Sequence, residues 1–550
     1  MKQRPSKYGI SGCFYLSSSN IKNMGFQTRI LREIIDNLLE VEGLARYGAW
    51  KITKNVCKKY HLSDVPTNVQ LLAVCSEEEK SKLKGVLIKK PIRTISGIAT
   101  ISVAVKPVKC VWGNCIYCPK GIDAPQSYAG AEPIIQRAIR KNYISYLQII
   151  DRLNQYKAMG HSSEDGNKIE VIVIGGTFLA LDPEYKKNFV KGIYDGLNGF
   201  EAKSLEEAQL TNETANYRCV NLTVETRPDY CKEKHVDEML DFGVTRVEIG
   251  VQSIFPEVLN LINRGHTIKD VIEATEIAKN SALKVNYHMM PGLPGSNIEK
   301  DLQMFETVFG NQEFRPDYLK IYPTVVVEGT KLFDLWKKGE YRSYSVDEMV
   351  ELLAKVKKII PKYCRIQHTG RLIPANEVMA GSKKTNIRQL VQWKAEEMGI
   401  RCKCIRCREV GFKINEGIYP EKIELTREDY GASHGEEIFL SFEDIKNDII
   451  LGFLRLRIPN KSHKLEIDEK TALIRELKVM GSTVPIGDLP EKIQIQHRGY
   501  GKQLMNEAER IAIEEFEKKK MVVMSAVGTR EYYSNLGYKR DGVFVSKILS

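Results

Sequence analysis

Residues 168–178 read KIEVIVIGGTF, an apolar run that stops at Gly175 and Gly176. A strand with one wet face alternates apolar and polar residues. A strand covered on both faces reads as a continuous apolar run, the pattern of a parallel sheet flanked by helices. Words of the same kind recur as TISVAV (100–105), VNLTVETRPD (220–229), VTRVEIGVQS (244–253), LKVNYHMMPGLPG (283–295) and PDYLKIYP (316–323), with helix-like segments between them. The expectation is an α/β fold, a barrel or open sheet in which strand ends rich in Gly, Thr, Glu, Arg and His carry the site.

Directly after the first of these strands comes KPVKCVWGNCIYCPKG (106–121), which puts Cys110, Cys115 and Cys118 within nine residues. Three thiolates on a short loop hold a [4Fe-4S] cube with one iron left open, or a zinc ion with one open position. Catalytic zinc is more often served by histidine and carboxylate, and neither stands in this loop. Iron-sulfur, zinc and unligated thiols all remain readings of the loop by itself.

The bulk numbers narrow the class. A chain of 550 residues, 43% hydrophobic and 28% charged, is too long for one core and has the composition of a globular protein of several domains. No window approaches the roughly 18 apolar residues of a membrane span, and the first 40 residues lack the order of a signal peptide. The expected compartment is the cytosol, where thiols stay reduced, so twelve cysteines, six in two tight groups, read as metal ligands. Residues 1–100 hold 17 Lys and Arg against 8 Asp and Glu, so most of the net charge of +12 lies in the first fifth of the chain. A polyanion such as nucleic acid is the expected partner of that segment, with a solvated basic surface as the plainer reading.

The second cysteine group, RCKCIRCREVG (401–411), presents Cys402, Cys404 and Cys407. The spacing suits a structural zinc that pins a barrel to the C-terminal domain, with Cys364 or His368 as a fourth ligand; a second iron-sulfur cluster is the alternative. Beyond residue 430 the texture changes to the strands EEIFLSFED, IILGFLRLRIP and TALIRELKVMG, then the turn QHRGYG and a long helix with an apolar face of Leu504, Ala508, Ile511 and Ala512. A glycine turn that opens into a helix leaves backbone amides free for phosphate, and Gly499 and Gly501 allow a close approach.

Cys-x4-Cys-x2-Cys at a first βα loop, with Tyr117 between the last two cysteines and a second strand ending in GGTF, resembles the radical S-adenosylmethionine (SAM) superfamily. The resemblance implies a [4Fe-4S] cluster on Cys110, Cys115 and Cys118 whose open iron binds SAM and yields a 5'-deoxyadenosyl radical. It further implies that Gly175, Gly176 and Thr177 hold the methionyl amine. Glu225, Arg227, Gln252, His288 and Met289 would point from successive strand ends toward SAM or substrate. The later turn, with Gln496, His497, Arg498, Gly499, Tyr500, Gly501 and Lys502, resembles the pyrophosphate loop of GNAT acetyltransferases, and Tyr532 and Tyr533 of REYYSNLGY would lie at the thioester. For each strand-end residue the plainer reading is a buried polar group satisfied by backbone, and for one of the two tyrosines it is helix packing.

A radical SAM partial barrel followed by a GNAT α+β domain, with QSYAGAEPIIQRAIRKNY, NRGHT, YHMMPGLPGS, GSKKTNIRQL, CKCIRCREVG and REYYSNLGY in order, resembles the Elongator catalytic-subunit family in its stand-alone archaeal form. The expected division is a basic, mainly helical segment at 1–85, the barrel at 86–370, a zinc linker at 371–420 and the GNAT domain at 421–550. The resemblance implies carboxymethylation at C5 of uridine 34 in the tRNA anticodon loop, with acetyl-CoA as carbon source. The deoxyadenosyl radical would take hydrogen from the acetyl methyl, the acetyl radical would add to C5, and thioester hydrolysis would leave 5-carboxymethyluridine. His288, Glu225, Tyr532 and Tyr533 would be catalytic. Lys89, Lys90 and Arg93 would grip tRNA, with Lys51, Lys54, Lys58 and Lys59 further out. An external electron donor is required, and the chain would work as monomer or homodimer without other Elongator subunits or a membrane. The rival class is a protein lysine acetyltransferase with a structural iron-sulfur barrel. Three departures from the family pattern stand out: Val111-Trp112 replaces the usual Pro-His after the first cysteine, implying altered packing; Leu372 stands where an acidic residue would supply a salt bridge; and the first dozen residues do not resemble a family start.

Overall fold

The computed structural model describes residues 18–41, 44, 46–62, 64–87, 95–113, 115–159, 167–481 and 498–550. Lys89, Lys90 and Arg93, together with Gln496 and His497, lie outside the described residues. The chain forms two compact units, residues 1–91 with 153–162, and residues 92–152 with 163–550.

The first unit carries the helices Ser18–Leu39, Arg46–Lys59, Asn68–Ala73 and Glu77–Leu87. Ile30, Ile34, Ile35 and Leu38 repeat at helical spacing and bury against Val56, Leu71, Leu72 and Leu83. Arg32 Nη1 donates to Glu79 at 2.9 Å, tying the first helix to the fourth. Lys51, Lys54, Lys58 and Lys59 are all exposed.

The second unit holds two large sheets. Its strands in chain order are β1 (Ala99–Ala104), β2 (Lys168–Ile174), β3 (Arg218–Thr226), β4 (Arg246–Gln252), β5 (Lys284–Met289), β6 (Tyr318–Ile321), β7 (Val326–Val327), β8 (Arg365–Thr369) and β9 (Val378–Ala380), then β10 (Glu424–Ala432), β11 (Gly435–Asp444), β12 (Ile449–Ile458), β13 (Thr471–Val479), β14 (Lys520–Val523), β15 (Lys539–Asp541) and β16 (Phe544–Ile548). The first sheet runs β1-β2-β3-β4-β5-β6-β8 with every pairing parallel, as the apolar words lead one to expect, and is the partial barrel that the resemblance implies. Strand β8 was not among those words. Helices between the strands start on strong caps: Thr267 and Ser345 each exchange hydrogen bonds with the residue three positions on.

The barrel interior is charged where such interiors are ordinarily aliphatic. Alternate residues bring Asn221, Thr223 and Glu225 of β3, Arg246 and Glu248 of β4, Asn286 and His288 of β5, and Lys320 of β6 to one face of the sheet. Arg246 pairs with Glu170 of β2, Asn221 Nδ2 donates to Glu170 at 3.1 Å, and Asn286 Nδ2 donates to Glu248 at 3.2 Å.

The second sheet runs β10-β11-β12-β13-β14-β16-β15 and is the mixed sheet of the GNAT fold, antiparallel apart from the β13–β14 pair. β13 pairs with β14 only from Thr471 to Ile474 and then continues beside β12 only, to Val479, so β13 and β14 part. The helix Tyr500–Glu514 crosses between them and buries Leu504, Ala508, Ile511 and Ala512. The connector joins the sheets: Ile405 N donates to Cys364 O beside β8, Arg365 pairs with Glu409 at 2.7 Å, and Glu409 bridges to Ile450 of β12.

Candidate active site

The C-terminal ends of the barrel strands surround a cavity of about 140 Å³ into which the cysteine loop folds. Of the strand-end residues singled out in the sequence, Gly176, Thr177, Glu225, Arg227, Gln252 and His288 line it together with Cys110, Cys115 and Cys118. Gly175 (φ 120°) lets the chain turn where a side chain would strike Val105 and Pro125, and its backbone N–H is taken by Glu225. Gln252, at φ 70°, is also held in the left-handed region, a strained placement for a residue with a side chain. Arg227 is committed to protein partners: it grips both oxygens of Asp229 at 2.9 Å and donates to the Arg264 carbonyl at 2.9 Å. Met289 is buried with no place in the cavity lining; its neighbour Met290 takes that position.

Below the cavity, His288 Nε2 stands 2.8 Å from Glu248, which also pairs with Lys320, and Lys320 lies 3.8 Å from Glu225. Burial alone would raise the Glu248 carboxyl, but Lys320 and His288 hold it well below the ordinary carboxylate range. For Glu225 burial prevails over Lys320 and the carboxyl is raised. The barrel roof therefore presents two carboxylates pushed in opposite directions around one ammonium and one imidazole. Glu248 and Lys320 were legible only as ionisable residues inside apolar strand words, a combination rare without a partner or a function.

Three polar groups meet the loop thiols: Gln126 Nε2 donates at 3.1 Å to Cys118 Sγ, Ser127 Oγ lies 3.4 Å from the same sulfur, and Arg264 Nη1 donates at 3.6 Å to Cys115 Sγ. Such donors suit sulfur that carries negative charge. A single tetrahedral zinc would draw its sulfurs to roughly 3.8 Å from one another. Among the described residues, Cys402, Cys404 and Cys407 do gather within 4.8 Å, and Cys110, Cys115 and Cys118 do not. The first loop fits a larger cluster and the second a single ion. Cys404 is held well below the usual thiol range by hydrogen bonds from Cys402 and Cys407. Neither Cys364 nor His368 joins that group as a fourth ligand.

In the second sheet Gly499 (φ 85°) opens the helix without a side-chain cap, leaving the first-turn amides of Tyr500, Gly501 and Lys502 directed outward. The tyrosine pair divides. Tyr532 is 42% exposed, and its Oη lies where a Cβ on Gly501 would sit 2.6 Å away. Tyr533 is 5% exposed and lines a cavity of about 80 Å³ with Glu476, Lys478, Arg246, Lys284 and Tyr318, at the floor of the barrel. Tyr532 meets the helix start, and Tyr533 turns away from it toward the barrel floor.

A parallel partial barrel with a three-cysteine loop after its first strand, joined to a splayed mixed sheet, defines a radical SAM protein with an acyltransferase-type second domain. Family models agree: the Radical SAM superfamily matches residues 107–308, a Radical SAM C-terminal domain 316–397 and an ELP3 N-terminal domain 27–95. The chain is 48% identical over 539 residues to the tRNA uridine(34) acetyltransferase of Methanocaldococcus jannaschii, covering 96% of this chain and 99% of that one. It is 43% identical over 542 residues to Elongator complex protein 3 of Dictyostelium discoideum, covering 96% of each. The structure of archaeal Methanocaldococcus infernus Elp3 lacking residues 1–46 superposes with a TM-score of 0.74 at 47% identity, over 83% of this chain and all of that one. The chain belongs to the Elongator complex protein 3 family, which includes the archaeal tRNA uridine(34) acetyltransferases. No helix among the described residues is long and apolar enough to cross a membrane.

Proposed function

We propose that this chain converts uridine 34 of tRNA to 5-carboxymethyluridine, with acetyl-CoA as the carbon source. The observation that carries the reading is a three-cysteine cavity and an open, glycine-led helix start within one compact unit. C5 of uracil bears neither an acidic hydrogen nor a leaving group, so two-electron acyl transfer does not reach it.

Cys110, Cys115 and Cys118 would hold a [4Fe-4S] cluster, with Gly176, Thr177 and Gln252 around SAM; once bound, the pair supplies a 5'-deoxyadenosyl radical when given an electron by an external donor. The chain's own residues do the rest. With SAM and the base seated in it, the cavity at the strand ends would keep water from the reacting atoms. His288, oriented by Glu248, and Glu225 above Lys320 are placed to hold the proton that leaves C5 as the uracil ring regains its double bond; the electron released with it would return to the cluster or pass to an external acceptor. In the second domain the amides of Tyr500, Gly501 and Lys502, with Arg498, bind the pyrophosphate of acetyl-CoA, and Tyr532 Oη orients the thioester. Zinc on Cys402, Cys404 and Cys407 stiffens the connector between β8 and β12. The basic helices of residues 1–85, with Lys89, Lys90 and Arg93, bind tRNA phosphates. The chain would act in the cytosol without other Elongator subunits.

The test is anaerobic reconstitution with iron and sulfide, then incubation with reductant, SAM, acetyl-CoA and uridine-34 tRNA and mass spectrometry of the nucleosides. Carboxymethyluridine that disappears without acetyl-CoA and in Cys118→Ala is the expected result. Acetyl-lysine on added peptides with no modified uridine would overturn the reading in favour of a protein acetyltransferase.

A further inference from the structure

NRGHT, residues 263–267, enters the chemistry above only through the bond from Arg264 to Cys115, yet the whole stretch is built against the cysteine loop. Asn263 takes a left-handed backbone conformation, φ 54°, and its carbonyl accepts Trp112 Nε1 at 2.6 Å. Gly265, φ 78°, lies under the indole: a Cβ there would stand 2.3 Å from Trp112 Cε2, so ring and backbone meet in a contact that only glycine permits. Between them Arg264 sends Nη1 to Cys115 Sγ at 3.6 Å and anchors Nη2 on the Gly250 carbonyl at 2.7 Å. One residue earlier, the Ile262 carbonyl accepts the backbone N–H of Ile116 at 3.1 Å. Arg227 closes the arrangement from above, bonded to the Arg264 carbonyl with its guanidinium 5.6 Å from the Trp112 ring centroid. Four consecutive residues, Ile262 to Gly265, thus each contact the loop between Trp112 and Ile116.

We propose that Ile262–Gly265 is a clasp that holds the cysteine loop in cluster-ready shape before any cluster is bound, with Trp112 as the positioning residue it grips. The inference rests on the reading that Cys110, Cys115 and Cys118 hold the cluster. An unclasped loop would have to lose its backbone freedom at the moment of loading. A loop already fixed has met that cost during folding. The clasp also accounts for the departure at Val111-Trp112. A proline there would stiffen the loop through its own backbone. Trp112 stiffens it through a side chain held from across the cavity mouth, and at 38% exposure it covers the loop without blocking the cavity, whose lining it does not join.

Hydrogen exchange on the full-length apo-protein tests the clasp directly, with Trp112→Ala and Trp112→Phe compared with the parent. Amides of residues 110–118 in Trp112→Ala are expected to exchange about ten-fold faster, with β2 and β4 unchanged as the folding control. Trp112→Phe keeps a ring on Gly265 without the indole N–H and falls between. Initial rates of iron and sulfide uptake follow the same order. Equal exchange in Trp112→Ala and parent overturns the clasp, and faster exchange with an unchanged uptake rate overturns its positioning role. If the parent takes up no iron and sulfide, the cluster assignment under Proposed function fails, while the exchange measurement still decides the clasp.

Discussion

Arg475 of β13 meets Asp317 at the foot of barrel strand β6 as a two-pronged pair, Nη1 to Oδ2 at 2.8 Å and Nη2 to Oδ1 at 2.6 Å. Both side chains are fully buried. Asp317 also accepts the Val285 N–H at 2.8 Å, and Arg475 Nη2 reaches Glu437 at 2.7 Å, so the contact between barrel and second sheet is ionic and bonded on several sides. Burial would raise the Asp317 carboxyl; Arg475 and Lys279 hold it well below its ordinary range.

Removing one partner of such a pair leaves a buried charge uncompensated, which typically costs about 3–5 kcal/mol. Asp317→Ala should lower the urea midpoint of the whole second unit. Asp317→Leu combined with Arg475→Met should be less damaging than the two single losses added together. Simple additivity would show that the pair does not act as a unit.

Glu248 joins His288 to Lys320, so Glu248→Gln leaves the imidazole an acceptor but takes the charge away from the ammonium. Carboxymethyluridine yield should fall roughly 100-fold, within the range of lost acid–base assistance. Iron content should match the parent. Parental yield from this variant would remove the carboxylate from the chemistry.

Gly501 and Tyr532 are in contact at the helix start, where an added Cβ would lie 2.6 Å from the tyrosine oxygen. Gly501→Ala should weaken acetyl-CoA binding, by calorimetry, about ten-fold or more, both by displacing Tyr532 and by crowding the amides that face the pyrophosphate. Adding Tyr532→Phe, which removes the clashing oxygen, should recover part of the loss. No recovery would place the defect in the helix start alone.

His266 is buried, and burial together with Arg264 and Arg227 pushes it down to about 2. Its folded value lies below its unfolded value of about 6.5. The unfolded chain therefore takes up a proton that the folded chain refuses, and stability falls as pH drops from about 6.5 toward 2, by about 1.4 kcal/mol per pH unit for this group. His266→Leu should flatten the slope of unfolding free energy against pH between 6 and 4.5 by about one proton. An unchanged slope would mean that His266 titrates in the folded state.

The sequence by itself determined the parallel barrel and the location of its chemistry. KIEVIVI and its relatives are apolar throughout because both faces of those strands are covered, and that burial pattern is written locally. The cysteine spacing and the QHRGYG turn were legible for the same reason, since each places its groups within one loop. Strand β8 escaped notice because Gln367 and His368 interrupt its apolar character, and Gln367 is polar in order to meet Asn286 at 2.6 Å across the barrel. Glu248 and Lys320 stand 72 positions apart, and Tyr318 meets Glu476 from 158 positions away. Only the tertiary structure decided these pairings, because strand order and register choose which buried charges face one another. It also decided that Tyr532 rather than Tyr533 meets the glycine helix start, and that the fully buried Arg455, Arg457 and Arg475 bind the second sheet to the barrel, contacts between residues far apart in the chain that no local pattern announces.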